Sequence, residues 1–149
     1  DSAWRLADHD KSKLAMPYKW DGSSYVAQDH YTFPDYPNGG LRASVCDLAL
    51  FLASQAGGGE PVLKPATLQE MLMPAYPTAN NGQGLGWRSI TIAGERWMGH
   101  SGGEKGVFTE AYFRPSDGVG FVMLTNSDGD DVQPVYTMED RVIAWAETL

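Results

Sequence analysis

The sequence has a single cysteine, Cys46, and no long apolar run. One cysteine cannot form a disulfide within the chain, so sulfur content says nothing about the redox compartment. Because Val45, Asp47 and Leu48 around it indicate the start of a helix, we interpret Cys46 as a small buried side chain and not as a nucleophile. No apolar run is long enough to cross a bilayer, so no membrane span is predicted.

Basic residues are also scarce, with 11 Lys and Arg against 19 Asp and Glu and a net charge of -8. Since they are scattered, no patch can neutralise phosphates, which argues against nucleic acid and anionic membrane surfaces as partners. The three histidines lack metal-ligand spacing, and residues 126–131 lack the spacing and final glutamate of an EF-hand loop. We therefore expect no metal and no cofactor.

What is present suffices for one domain, since 42% of the 149 residues are hydrophobic. Residues 1–43 show no sustained period and predict an irregular segment. Residues 44–74 predict two helices. The first, over 44–56, begins at a capping box formed by Ser44 and Asp47, and the second begins near Pro65.

Residues 84–127 alternate in short runs separated by turns, which predicts antiparallel strands. The run Phe121–Leu124 is apolar on both faces and predicts a central strand covered from both sides. Residues 131–149 predict a terminal helix with Asp131 as N-cap. Its apolar stripe consists of Val135, Met138, Val142, Trp145 and Leu149. The whole chain then forms one α+β unit, an antiparallel sheet packed with helices.

The stretch GHSGG at residues 99–103 matches G-x-S-x-G, the turn that presents the serine of α/β-hydrolases. That fold needs a helix directly after the serine, whereas Ser101 precedes glycines and a strand. Its base histidine also follows the serine, while all three histidines here precede Ser101. A chymotrypsin-like protease needs two barrels, for which the chain is too short. Taken alone, the stretch could also be a glycine-rich connection with a serine by chance.

Four landmarks in order resemble the serine β-lactamase-related family, which includes class C β-lactamases, penicillin-binding proteins, D-aminopeptidases and related esterases. The first, residues 37–44 continued by Asp47-Leu48-Ala49, is similar to the G-G-L helix start of that family. The others are residues 84–87, 99–103 and 122–127. The resemblance covers nearly the whole chain and implies a β-lactamase/transpeptidase-like fold.

By this resemblance, residues 100–102 occupy the third active-site motif, written K-T-G in β-lactamases, on the edge strand of the cleft. His100 and Gly103 would belong to the catalytic set, with the Gly103 N–H as one oxyanion donor. Ser101, Gly102 and Asn126 would bind substrate. Because His100 replaces a lysine, it offers a hydrogen bond more often than a full positive charge near neutral pH, which favours an esterase or peptidase-like member.

The nucleophile motif S-x-x-K of this family does not occur in the chain. A formal Y-x-N at Tyr36-Pro37-Asn38 belongs to a turn. Both motifs normally lie upstream of the position of Asp1, which is not a Met. We therefore expect the C-terminal half of a serine hydrolase that transfers the acyl group of an ester, amide or β-lactam.

Such a half should be inactive alone and should associate with its missing N-terminal half or with itself. The alternative is a non-catalytic module that uses the cleft wall to bind a peptide or glycan. The compartment cannot be read from the residues, although the resemblance favours a periplasmic or secreted protein.

Overall fold

A computed structural model describes residues 2–34, 36–78, 82–128 and 133–148, and its elements form the α+β fold expected from the sequence. The helices are α1 (Val45–Ala56), α2 (Pro65–Leu72) and α3 (Gln133–Ala146). The strands are β1 (Tyr18–Trp20), β2 (Tyr25–Ala27), β3 (Arg88–Ile92), β4 (Glu95–Glu104), β5 (Val107–Phe113), β6 (Gly120–Thr125) and β7 (Ser127–Asp128).

Strands β3, β4, β5 and β6 form an antiparallel sheet in chain order. Two-residue turns join the first three strands, Ala93-Gly94 between β3 and β4 and Lys105-Gly106 between β4 and β5. Positive φ angles at both Ala93 and Gly94 fit a type I′ turn, whose twist matches that of the strands it connects. In the second turn only Gly106 has a positive φ. The sheet is therefore built from local pairings between consecutive strands.

The sheet separates two apolar clusters, because successive side chains on a strand point to opposite faces. The cluster on the α1 face consists of Leu52, Trp87, Met98 and Phe113. The cluster on the α3 face consists of Trp97, Tyr112, Phe121 and Ile143. Burying each such side chain contributes about 1.5–3 kcal/mol, so the two clusters fix both helices on the sheet.

Strand β6 lies at an edge of this sheet, so the expectation of a central strand was wrong. Among the described residues, β6 pairs with β5 alone. Both of its faces are nevertheless covered: Phe121 packs in the α3 cluster and Val122 against the α1 cluster. The apolar run thus reflects helices above and below the strand, a pattern that does not require a neighbour on each side.

Helix α1 begins directly after its N-cap, Ser44. The Ser44 hydroxyl accepts a hydrogen bond from the Asp47 N–H at 3.0 Å. Its buried face carries Leu52 and Gln55. Cys46, expected to be buried, is exposed in the first turn because it lies off that face.

Helix α2 has Pro65 in its first turn, where the missing proline N–H costs no hydrogen bond. It ends at Leu72, with its buried face marked by Leu68. Both helices expected within residues 44–74 are therefore present.

Helix α3 packs on the sheet through Ile143 and is tied to the end of β5 by Arg114, whose guanidinium donates to Glu147 at 2.8 Å. Arg114 also pairs with Asp117 and lies over the Trp97 ring, 5.2 Å from its centroid. The expected N-cap Asp131 and the final stripe residue Leu149 lie outside the described residues.

Three residues of the apolar stripe of α3 face outward. Met138, Val142 and Trp145 are exposed, whereas Glu139 and Ile143 are buried. Helical spacing identifies a stripe, but it does not decide which neighbouring face meets the sheet.

Residues 2–43 are largely irregular, as expected, but they also contain 3₁₀ turns and two short strands. These strands form a second sheet in the order β2-β1-β7. Strand β7 runs parallel to β1, with Tyr18 opposite Ser127, and so departs from the antiparallel pattern expected for 84–127. Its partner comes from far upstream, which local alternation cannot reveal.

Candidate active site

The GHSGG stretch lies in β4 at the point where the β3 pairing ends. The last paired residue is Gly99, opposite Arg88, while β4 continues to Glu104. On its other side β4 pairs with β5 from Met98 to Glu104. Among the described residues, His100–Glu104 therefore has no strand partner on one side. We call this segment the free β4 edge; its unpaired backbone groups can hydrogen bond to a ligand.

Two glycines of the stretch, Gly99 and Gly103, differ in how much space their surroundings leave for a side chain. A side-chain carbon on Gly99 would overlap the Ala111 carbonyl oxygen and approach the Tyr112 Cα to 2.7 Å. The same carbon on Gly103 would come no closer than 3.8 Å to Phe108, an ordinary contact. Gly99 is thus required by the packing of two strands, whereas the space beside Gly103 is open.

His100 points to the α1 face, as its neighbour Met98 in the cluster shows. Its Nε2 lies 2.8 Å from the Gly86 carbonyl oxygen, and its ring centroid lies 6.4 Å from that of Trp87. Trp87 is buried and stacks on Phe51 of α1. The imidazole is therefore oriented by a backbone carbonyl and lies beside the buried Trp87 ring.

Ser101 points to the opposite face, toward α3. It hydrogen bonds with Tyr112, which opposes part of the rise that burial causes in the pKa of that phenol. The sequence-based hypothesis joined His100 and Ser101 in one site, and strand alternation separates their side chains to the two faces. The backbone groups alternate as well, so those of Ser101 lie on the free β4 edge and those of His100 face β5.

Asn126 lies two strands away from the free β4 edge, at the same end of the sheet. Thr125, next to it, is opposite Phe108, and Phe108 is opposite Gly103. Adjacent strands are about 4.8 Å apart, so Gly103 and Thr125 are separated by roughly 10 Å. The Asn126 amide donates to the Met16 carbonyl at 2.9 Å, which ties the irregular segment to the sheet.

Two acidic residues on the α3 face were missed by sequence reasoning. Glu110 of β5 and Glu139 of α3 are buried and interact through their carboxyl groups. Burial, and secondarily the charge of Glu139, raises the pKa of Glu110 to about 7. Burial also raises the pKa of Glu139. The sequence did contain one sign that Glu110 is buried, since it shares a strand face with the aromatic residues Phe108 and Tyr112.

In the part of the chain that the structure describes, no group of three or more His, Cys, Asp or Glu side chains is placed to hold a metal ion. In the same part, no helix is both long and apolar enough to cross a membrane. Residues 129–131 of the acidic stretch after β6 lie outside the described residues.

The Beta-lactamase family matches residues 2–142, nearly the whole chain. The chain therefore belongs to the beta-lactamase family, and the resemblance seen in the four landmarks is confirmed. No curated protein sequence matches the chain.

Two solved structures share its fold. The octameric penicillin-binding protein homologue from Pyrococcus abyssi matches with a TM-score of 0.67 and 26% identity, covering 85% of this chain and 30% of that one. The penicillin binding protein from Bacillus halodurans matches with a TM-score of 0.69 and 17% identity, covering 95% of this chain and 44% of that one. The chain thus spans less than half of either structure.

Proposed function

We propose that this chain is the C-terminal part of a serine hydrolase that transfers the acyl group of an ester, amide or β-lactam. The observation that carries the proposal is the free β4 edge, where a His-Ser-Gly-Gly sequence borders an open backbone edge in a beta-lactamase family fold. Acyl transfer develops negative charge on a carbonyl oxygen, and fixed backbone N–H groups stabilise it.

In this proposal Gly103 supplies one of those N–H groups, and the nucleophilic serine supplies the other. The open space beside Gly103 supports this role, because a substrate carbonyl can approach the backbone without meeting a side chain. Ser101, whose backbone groups face the same side, would extend this edge along the substrate, and Gly102 between them would bind substrate by leaving space beside the strand.

Asn126 has a second explanation, since its amide is already bound to the Met16 carbonyl. Its proposed contact with substrate would have to use the remaining hydrogen-bonding capacity of the side chain. The tie to Met16 by itself accounts for an asparagine at this position.

In this proposal the bond-making groups come from another segment, because S-x-x-K does not occur in the sequence. The test is to sequence the encoding DNA upstream of the Asp1 codon, then refold this chain with any upstream segment that carries Ser-x-x-Lys and Tyr-x-Asn. The mixture is assayed with a p-nitrophenyl ester, a D-alanyl anilide and a chromogenic cephalosporin. We expect hydrolysis of at least one by the mixture and of none by the chain alone.

The second candidate is a non-catalytic module that binds a peptide or glycan along the free β4 edge. The same unpaired backbone favours it, since an extended peptide can add to an open strand edge. A correctly refolded mixture without activity on any of the three substrates would favour this candidate over the hydrolase.

We also propose that the chain associates, either with an N-terminal half or with itself. The exposed apolar stripe of α3 supports this, since Met138 and Trp145 are 52% and 64% exposed. The Pyrococcus abyssi homologue is described as octameric.

A further inference from the structure

Among the described residues, strand β6 has no partner along its outer side. The Thr125 hydroxyl exchanges hydrogen bonds with the N–H and the C=O of Phe108, so these groups of β5 point toward β6. The Arg114 N–H donates to the Val119 carbonyl at 2.7 Å, which continues the same register. Hydrogen-bonded pairs alternate in an antiparallel ladder, so the residues between them direct their backbone groups away from β5. We call this outer side the free β6 edge; it consists of Gly120, Val122 and Leu124.

The free β6 edge lacks the residues that usually protect an edge strand. Residues 120–125 include no charged residue and no proline, two residue types that block the addition of another strand. Both faces of β6 are already covered, one by the α1 cluster and the other by the α3 cluster. The edge therefore remains open to one further strand.

The free β6 edge is complementary to a second copy of itself. In an antiparallel pair that places Val122 opposite Val122, Gly120 of each copy lies opposite Leu124 of the other. Each of these residues then exchanges hydrogen bonds with the residue opposite. A shift by one residue would bring them opposite residues whose own backbone groups face β5, and a shift by two would leave one of the three unpaired. Only the register centred on Val122 pairs all three.

The side chains on the α1 face agree with this register. Val122 packs against the α1 cluster, and Gly120 and Leu124 share its face because side chains alternate along a strand. Leu124 is 39% exposed and would lie beside Gly120 of the second copy, which has no side chain. The Leu52 Cδ2 atom lies 3.2 Å from the position that a Cβ on Gly120 would take, so Leu124 would meet an apolar group there. Pairing would therefore bury an exposed leucine.

Helix α1 leaves room for the second copy above this edge. Phe51 stacks on Trp87, which directly precedes β3 at the opposite edge of the sheet. At about 100° per residue, Ala49 and Ala53 lie about 160° around the helix from Phe51, on the side toward β6. Both alanines are exposed, and side chains of this size allow two α1 helices to approach closely.

We propose that two copies of this chain pair along the free β6 edge, so that their four-stranded sheets form one antiparallel sheet of eight strands. The two-fold axis passes between the two Val122 residues, and the same surface of each copy meets the other. Open sheets reach this number of strands. The proposal rests on the association of the chain with itself proposed above, and it does not depend on the hydrolase.

The first test is a disulfide across the two-fold axis. Val122→Cys should give a cross-linked dimer on non-reducing gels, because opposite Cα atoms of a hydrogen-bonded pair lie about 5.5 Å apart, within disulfide range. The background is Cys46→Ser, which removes the exposed native thiol. Leu124→Cys is the matched control, since its two copies would lie about 14 Å apart along the strands. Equal cross-linking of both variants, or none of Val122→Cys, would overturn the proposal.

The second test removes one outward N–H from each copy. Leu124→Pro loses a hydrogen bond to the second copy but none to a described residue of its own chain, and Leu124→Ala controls for the lost side chain. Light scattering should give the parent chain twice the mass of one copy. The dissociation constant should be at least about tenfold higher for the proline variant than for the alanine variant. Urea titrations check that both fold, and equal dissociation constants of the folded variants would contradict the pairing.

Two other modes of association give different results. Trp145→Lys changes the exposed stripe of α3 and should leave the Val122→Cys cross-link in place. Loss of the cross-link in this variant would assign the association to α3 and refute the pairing through β6.

Hydrogen exchange distinguishes a second copy from an N-terminal half. At concentrations where the chain alone is dimeric, the Val122 and Leu124 amides should exchange slowly. Slow exchange only after addition of an N-terminal half would assign the free β6 edge to a strand of that half, and the pairing of two copies would be wrong. None of these measurements requires turnover, so a refolded mixture without activity would count against the hydrolase alone.

Discussion

Two glycines of the same pentapeptide serve different purposes, and substitution separates them. Gly99→Ala should lower the free energy of unfolding by roughly 3 kcal/mol, because the new methyl group meets backbone atoms of Ala111 and Tyr112 that cannot rotate away. Gly103→Ala should change it by less than about 0.5 kcal/mol, since its methyl group has room. Urea titrations of both variants measure the difference. Equal stability would show that β4 and β5 are not so close at Gly99.

The oxyanion role of Gly103 is tested by removing its N–H. In a refolded, active mixture, Gly103→Pro should lower kcat about 10²–10³-fold, the usual effect of losing one oxyanion donor. Gly103→Ala is the control for the added side-chain carbon, because it keeps the N–H and meets no atom of the chain closer than 3.8 Å. Circular dichroism of each variant checks the fold. Similar rates for a folded proline variant and the alanine variant would exclude the Gly103 N–H as a donor.

Among the elements, the contact between α3 and the sheet depends on pH, because it buries Glu110 against Glu139. A carboxyl group whose folded pKa is raised to about 7 from 4.5 stabilises the fold fully below the unfolded value. That contribution is lost as pH rises to about 7 and amounts to about 3 kcal/mol. The pKa of Glu139 is also raised, so its ionisation lowers the stability of the fold in the same direction.

The variant Glu110→Gln keeps the shape of the protonated acid without its titration. It should match the parent chain near pH 4.5 and exceed it in unfolding free energy at pH 8, by up to about 3 kcal/mol. Urea titrations from pH 4.5 to 8 measure this, and Glu95→Gln, an exposed glutamate of β4, is the control. The lowered pKa of Asp117, caused by its hydrogen bond with Arg114, affects stability only at more acidic pH. If the unfolding free energies of the variant and the parent chain differed by the same amount at every pH from 4.5 to 8, the raised pKa of Glu110 would be contradicted.

For the whole molecule, the exposed apolar side chains of α3 predict association of the chain by itself. Light scattering during size-exclusion chromatography should show a mass that rises with concentration. Trp145→Lys should reduce the association, because it places a charge in the exposed stripe. Tyr136→Lys is the control, since nine residues are two and a half helical turns and place Tyr136 on the opposite side. A monomeric parent chain at every concentration would contradict self-association.

The sequence by itself determined the class of elements, their order and the family. Ser44 and Pro65 define helix starts through chemistry confined to one turn, and the strand turns depend on glycines beside alternating residues. These features need no information about distant residues. The resemblance implied that GHSGG lies on an edge strand, whereas β4 lies between β3 and β5 and lacks a partner on one side only over His100–Glu104.

Only the tertiary structure decided which faces of the helices and strands pack against each other. It turned Met138 and Trp145 outward and Glu139 inward, placed Glu110 opposite that buried acid, and paired β7 in parallel with β1. It also placed the Gly86 carbonyl beside His100, which fixes the hydrogen on the imidazole. Each of these depends on contacts between residues far apart in the chain, and local periodicity is the same whichever neighbouring face is buried.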